Sequence, residues 1–456
     1  MKAKWINLTR GSEIGANSYY MEFEETGVLL DAGMHPKLEG YAALPQYDLL
    51  KKKNVQAVFI THAHHDHIGS LPLLMQKFPD ARVFMAEETY FMADPLLRNS
   101  VSVMKKQKKE LGIAEYPLYT NPDITKAAQQ WQACRLNQPW SLKGYPLSGR
   151  DKKDDLYFEF HHAGHILGSV AVELIHRGRR ILYTGDVNFA DQTIMTAAEL
   201  PEAGIDTLIV ETTRGAQANP EGYDRNAVVR EFIEAMNETF HRGGAVLIPV
   251  FAMGKTQELL TILHYAQKKG DLPKGPIYIG GLSKVFTEIY DQFDAADQLQ
   301  LLEDVRPEIV SGKKLHDLNP KKGHIYLISS GMMTENTLSN LFAHKILSRE
   351  NDSIFFVGYT DPESPAGKLR ATPRGERVIL NKIAGDQPVL CRVQHFDLTA
   401  HAVREDTLDY IQRLNPRCCV LVHGDPSAIQ WFETQLQAKC PSMQVIVPPP
   451  GKEMTL

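Results

Sequence analysis

Apolar residues along the chain fall in short dense runs separated by turn residues, and such runs predict strands. Residues 55–60 read as a buried strand that leads into a His-rich turn, with Gly69 and Pro72 marking the turn's end. Ahead of it, residues 1–35 read as short strands with tight turns. A turn-rich loop covers 11–17, a strand covers 18–23, and another covers 27–33 and places Asp31 at its end. Residues 70–100 follow a helix–strand–helix order. Residues 156–162 alternate as a strand, 180–186 form a strand that again ends on a carboxylate, and 207–210 deliver Glu211. The segment 101–155 is harder to parse. Its run Lys105-Lys106-Gln107-Lys108-Lys109-Glu110 fits the solvated face of a helix, and Trp131 and Trp140 imply that the segment packs.

The second half alternates strongly. Residues 244–252, 276–280, 324–328 and 353–358 read as strands, with helices starting at 253 and covering 284–293 and 336–347. Strand alternating with helix predicts a parallel-sheet domain. Beyond it, an apolar run at 389–394, a helix over 404–414, a buried strand in 418–425 that ends on His423 and a closing helix and strand near Val447 resume a strand–helix–strand pattern.

At 456 residues the chain has room for two or three domains with sizeable cores. Its formal charge of −5 excludes a global basic field, so a nucleic-acid partner would need a local or metal-centred site. The five cysteines, Cys134, Cys391, Cys418, Cys419 and Cys440, form no C-x-x-C pair and read as reduced thiols. The N-terminus lacks the apolar core of a signal peptide, and no apolar run approaches a membrane span. A cytoplasmic location without membrane partners is expected.

The chemistry concentrates in Thr61-His62-Ala63-His64-His65-Asp66-His67, at the C-terminal end of a strand, where α/β sheets place their sites. Imidazole nitrogens and a carboxylate are zinc ligands. His62 and His64 alternate and can aim at one ion; Asp66 and His67 lie beyond the bend and can reach a second; His65 has the wrong parity and points away. The stretch is the H-x-H-x-D-H signature of the metallo-β-lactamase superfamily, which the chain resembles. That resemblance makes His165, in Ala163-Gly164-His165, the third imidazole for the first metal and Asp186 the bridging carboxylate. It also makes Asp31 a support that accepts from a ligand imidazole.

The order of the remaining pieces resembles the β-CASP branch of that superfamily, whose members are nucleases. The implied architecture is an αββα sandwich with an inserted parallel-sheet β-CASP domain. The first part is expected over 1–212, the insertion over 213–385 and the completing part over 386–456. Glu211, in Val210-Glu211-Thr212-Thr213, matches the branch's acidic motif; His401, in Thr399-Ala400-His401, and His423, in Val422-His423-Gly424, match its late histidine motifs. A histidine at the last motif favours RNA over DNA as substrate. Three departures fall on other segments: Lys255-Thr256 stands where relatives often carry Arg-Ala, residues 362–370 replace a Gly-Thr-x-Gly-Arg pattern, and Ala402-Val403 follow His401 where an Asp is common.

The resemblance implies a zinc-dependent ribonuclease, acting internally or from an end. His62, His64 and His165 would hold one Zn²⁺, Asp66, His67 and His423 a second, and Asp186 both; Mn²⁺ or Fe²⁺ suit the same donors. Asp66, His401 and Glu211 form the expected catalytic set, with His401 as the acid and Glu211 orienting it. Ser329, Ser330 and Gly331, with Lys255, Lys368 and Arg370, are candidates for contacts to a single-stranded RNA backbone, and a homodimer is compatible with the chain. The competing readings are a DNA nuclease of the same fold, a small-ester hydrolase and a catalytically silent RNA-processing scaffold.

Overall fold

Strands buried on both faces are apolar at nearly every position, and the sheets of this computed structural model follow that rule. Residues 3–148, 156–220, 222–295, 298–382 and 385–456 are described; the end of the segment 101–155, from 149 onward, lies outside them. Contact between residues divides the chain into two compact units. The first joins 1–191, 196–219 and 401–456, and the second joins 192–195 and 220–400.

In the first unit one seven-stranded sheet runs, edge to edge, Glu453–Thr455, Lys4–Asn7, Tyr19–Phe23, Thr26–Leu30, Val55–Phe59, Arg82–Ala86 and Trp131–Cys134. The other runs Gln444–Ile446, Cys418–Val422, Thr207–Glu211, Arg179–Tyr183, Val170–His176, Leu156–His162 and Trp140–Ser141. Alternation sorts the side chains into layers. Val28, Leu30, Ala57 and Phe59 turn inward to meet Phe158, Phe160, Val172, Tyr183 and Val420 of the facing sheet. Leu29, Val58 and Ile60 turn outward, under Leu71, Leu74, Leu97, Val101 and Ile124 of the helices Leu71–Lys77, Glu87–Leu111 and Asn121–Ala127. On the far side Leu182, Leu208, Val210 and Leu421 are covered by Leu408, Ile411, Ile429 and Phe432 of the helices Arg404–Leu414 and Pro426–Lys439. The result is helix, sheet, sheet, helix. The basic run at 105–110 ends the long helix Glu87–Leu111, and its four lysines are exposed.

The second unit carries an all-parallel six-stranded sheet in the order Glu308–Val310, Ile277–Gly280, Ile325–Ile328, Val246–Pro249, Ser353–Val357 and Arg392–Phe396. The run expected to resume the sandwich forms Arg392–Phe396, which pairs in parallel with Ser353–Val357. The second compact unit accordingly runs from 220 to 400, with 192–195. An apolar run states that a strand is buried but not which sheet accepts it. The helix expected over 336–347 is confined to Leu338–Ala343, because Met333 and Asn336 have positive φ and tight turns follow Ala343. Among the described residues no helix is long and apolar enough to cross a membrane.

Candidate metal centre

The strand Val55–Phe59 runs out at Ile60, and the chain bends at Ala63 and His64, the latter with extended φ/ψ, before turning into the short helix His65–Ile68. His62 and His64 therefore project from the segment between strand and helix, and Asp66 and His67 from the first helical turn. Residues 31–34 clasp this bend. Ala32 N–H donates to His67 O at 2.8 Å, Met34 N–H donates to His65 O at 3.0 Å, and Asn17 N–H donates to Asp66 O at 2.9 Å. Gly33 is required there, because a Cβ would lie 1.7 Å from Asp66 O. His65 faces away, its Nε2 3.0 Å from Ser100 Oγ.

Three donor groups gather at the ends of these strands: His62, His64, His165 and Asp186; Asp66, His67 and His423; and Asp186, Glu211 and His401. Within each group the nitrogen and oxygen atoms lie within 4.8 Å of one another. Asp186 belongs to the first and the third group, and its second oxygen approaches the group between them. Its Oδ2 is 3.6 Å from His62 Nε2, 3.7 Å from His165 Nε2 and 4.0 Å from His401 Nε2. Its Oδ1 is 3.3 Å from His67 Nε2 and 2.9 Å from His423 Nδ1. Asp66 Oδ2 lies 3.4 Å from His423 Nε2. The donors arrive from residue 62 to residue 423, all but His401 beyond or at the ends of five strands, and His401 from the loop before the helix Arg404–Leu414.

Buried partners hold the donors in place. His67 Nδ1–H donates to Asp31 Oδ2 at 2.7 Å, which turns Nε2 toward Asp66 and Asp186. Asp31 also accepts from Thr61 N–H and Tyr183 O–H, both at 2.8 Å. Thr61 Oγ1 is 3.1 Å from His62 Nδ1, and Thr213 Oγ1 is 3.1 Å from His423 Nδ1. His401 Nδ1–H donates to both Glu211 oxygens, at 3.1 and 3.2 Å, while Val187 N–H donates to Glu211 Oε1 at 2.7 Å. Thr61, Tyr183, Thr213 and Asn17 were not singled out from the sequence. Thr61 and Tyr183 stand beside motif residues, but nothing local marks them as partners of Asp31.

Electrostatics follow from burial and mutual approach. Burial pushes the His62 imidazole well down, aided by His67, and pushes His64 down to about 4. For His423 burial acts the same way, but Asp186 and Asp66 outweigh it and raise the imidazole to about 10. His67 is raised against burial by Asp186, Asp31 and Asp66. Burial would also raise Asp66 and Asp186. The neighbouring imidazoles prevail and hold both well below the usual carboxylate range, His67 leading for Asp66 and His423 for Asp186. His401 is raised against burial by Glu211 and Asp186.

The residues fit metal ions. Among the described residues, the buried His62 Nε2 and His64 Nε2 have no hydrogen-bond partner, and His423 Nε2 has only Asp66 Oδ2 at 3.4 Å, an expensive arrangement unless something else ligates them. Imidazole with ionised carboxylate is the donor chemistry of zinc and related divalent metals.

The other expected contact residues lie in the second unit. Ser329, Ser330 and Gly331 follow the strand Ile325–Ile328. Ser339 Oγ–H donates to Ser330 O at 2.7 Å, and Gly331 is buried. Lys368 and Arg370 are exposed on the helix Pro365–Ala371. Lys255, expected to touch a backbone phosphate, is instead buried, and its Nζ donates to Leu398 O. The helix it opens turns it inward, so it is not available as a surface cation.

Comparison with known proteins agrees with this architecture. Residues 11–237 match the Metallo-beta-lactamase superfamily, 256–369 the Beta-Casp domain, and 386–448 the Zn-dependent metallo-hydrolase RNA specificity domain. The chain belongs to the β-CASP branch of the metallo-β-lactamase superfamily. It is 28% identical over 448 residues to the cleavage and polyadenylation specificity factor subunit 3-I of Arabidopsis thaliana, covering 95% of this chain and 61% of the relative. It is 27% identical over 448 residues to the endoribonuclease YSH1 of Candida glabrata, covering 95% and 56%. The cleavage and polyadenylation specificity factor 73 of Drosophila melanogaster is 28% identical over 444 residues, covering 94% and 61%. The chain thus spans about six-tenths of the length of these curated relatives. A solved protein of unknown function from Enterococcus faecalis V583 shares the fold, with a TM-score of 0.57 at 13% identity over the whole of both chains.

Proposed function

We propose that this chain is a zinc-dependent ribonuclease that hydrolyses phosphodiester bonds of single-stranded RNA. The observation that carries the reading is the pair of donor groups on either side of Asp186, one containing it and the other within 3.3 Å of its Oδ1, with the His401–Glu211 pair beside the same carboxylate. The matched RNA specificity domain and the endoribonuclease relatives support RNA as the substrate. His62, His64, His165 and Asp186 would hold one ion, and Asp66, His67, His423 and Asp186 a second. Two zinc ions so held supply Lewis acidity toward water and toward the phosphate oxygens.

The chain's own residues do the rest. Asp31 fixes the His67 ring, and Thr61 and Thr213 approach His62 and His423. Glu211 orients the His401 imidazole and favours its charged form, so His401 Nε2 carries a proton near the cluster. That proton goes to the oxygen leaving phosphorus, which would otherwise depart as an alkoxide. The test uses end-labelled, sequence-matched single-stranded RNA and DNA with the wild-type chain and a His64→Ala control. Metal-dependent cleavage of RNA, faster than DNA and abolished by His64→Ala, is expected. Preference for DNA, or ester turnover without nuclease activity, overturns the reading; a chain that takes up no metal and cuts nothing is a scaffold.

A further inference from the structure

A second cluster of buried charge lies in the inserted unit. Glu258 is 1% exposed, Lys255 9%, and the Arg225 side chain 15%. Burying three charges is costly, and apolar residues of similar volume commonly pack as well. Their hydrogen bonds show what the charges hold. Glu258 accepts from Thr193 N–H at 3.0 Å and Ile194 N–H at 2.9 Å, and from Arg225 Nη2 at 2.6 Å. Arg225 Nη1 donates to Thr399 O at 2.9 Å, Lys255 Nζ donates to Leu398 O, and Tyr223 O–H donates to Asp397 O at 2.7 Å. All of these groups belong to the second unit. The backbone they grip, 193–194 and 397–399, lies beside the points where the chain passes between units, next to 192, 195 and 400. Burial, with Arg225 alongside, pushes the Lys255 ammonium down to about 8, which marks how far it has been taken from water.

The grip ends two residues before His401. On the other side, Ala402 N–H donates to Val187 O at 2.6 Å, and Val187 N–H is held by the carboxylate that orients the His401 ring. We propose that Glu258, Arg225 and Lys255 are positioning residues for His401: Lys255 and Arg225 fix the carbonyls of Leu398 and Thr399, Glu258 anchors Arg225, and together they set where the imidazole is delivered. The proposal rests on reading His401 as the proton donor. It gives Lys255 a task inside the protein in place of a contact with RNA.

The test measures kcat and KM on single-stranded RNA for the zinc-loaded chain carrying Lys255→Met, Lys255→Arg or Glu258→Gln, each alone and combined with His401→Ala. A misplacement of an ångström costs about 10²-fold in rate. Lys255→Met is expected to lower kcat by roughly 10- to 100-fold with KM unchanged. Lys255→Arg keeps a donor and restores most of the rate, and Lys255→Met adds no loss in the His401→Ala background. A raised KM at unchanged kcat would show that Lys255 meets the substrate. A loss that persists in the His401→Ala background would show a general structural role; either result overturns the proposal. A wild-type chain that leaves RNA intact, or a His401→Ala chain as active as wild type, would sink the donor reading instead. Hydrogen exchange then decides separately: amides 398–402 exchange faster in Lys255→Met and in Glu258→Gln if the grip is real, and unchanged exchange in both contradicts it.

Discussion

Asp31 shows how much of this site depends on residues that would touch no metal. Its φ is positive, uncommon for a residue with a side chain, and its carboxylate accepts from His67, Thr61 and Tyr183 at once. Asp31→Ala leaves every donor in place but frees the His67 ring, so zinc affinity is expected to fall about 10- to 100-fold, measured by competition with a chromophoric chelator. His401 gives a second test. Its pKa is raised by Glu211 and Asp186, so the donor form exists below that value and is lost as pH rises through it. Glu211→Gln removes the leading cause of the rise. The alkaline limb of kcat should therefore move to lower pH in that variant, and an unmoved limb would contradict the pairing. The H-x-H-x-D-H cluster was legible because its donors are local and their parity follows from a strand entering a turn. Asp186, His401 and His423 carry no such local mark. Only resemblance pointed to them, and nothing marked Thr61, Tyr183 and Thr213 as partners of the donor side chains.

Elements were legible where periodicity decided them. The strand Leu156–His162 and the helix Arg404–Leu414 have the bounds their patterns predict. Sheet membership was not, because pairing is a tertiary choice, and the strand Arg392–Phe396 joined the insertion for that reason. Glu453–Thr455, which closes the first sheet against Lys4–Asn7, is too short and polar to announce itself. The strand that feeds the metal centre depends on its inward layer. Phe59 is fully buried with its ring 5.6 Å from Phe84, 4.7 Å from Phe158 and 6.3 Å from Phe160, centroid to centroid. Phe59→Ala is expected to cost about 3–5 kcal/mol in denaturant unfolding, the range for truncating a buried aromatic. A cost below 1 kcal/mol would mean that this layer is not packed as described.

On the scale of the whole molecule, the first unit is assembled from three stretches of chain, and the proposed ligands come from the first and the last of them. Metal bound there would tie residue 62 to residue 423, whereas the second unit has its own core around Leu247, Tyr326, Ile328, Phe342 and Phe356. Zinc at about 100 times its Kd contributes ~2.7 kcal/mol to the state that binds it. Chelation should therefore lower one thermal transition by roughly 5–10 °C and leave the transition of the inserted unit in place. The chain's negative charge fits a substrate held at a local, cation-rich site and not by a general basic surface.

The most direct measurement titrates zinc into the metal-stripped chain while following cleavage of end-labelled single-stranded RNA. Cleavage that is absent without metal and reaches its plateau at two equivalents per chain is the predicted result. Full cleavage by the stripped chain, or none at any zinc level in a folded protein, would contradict the account.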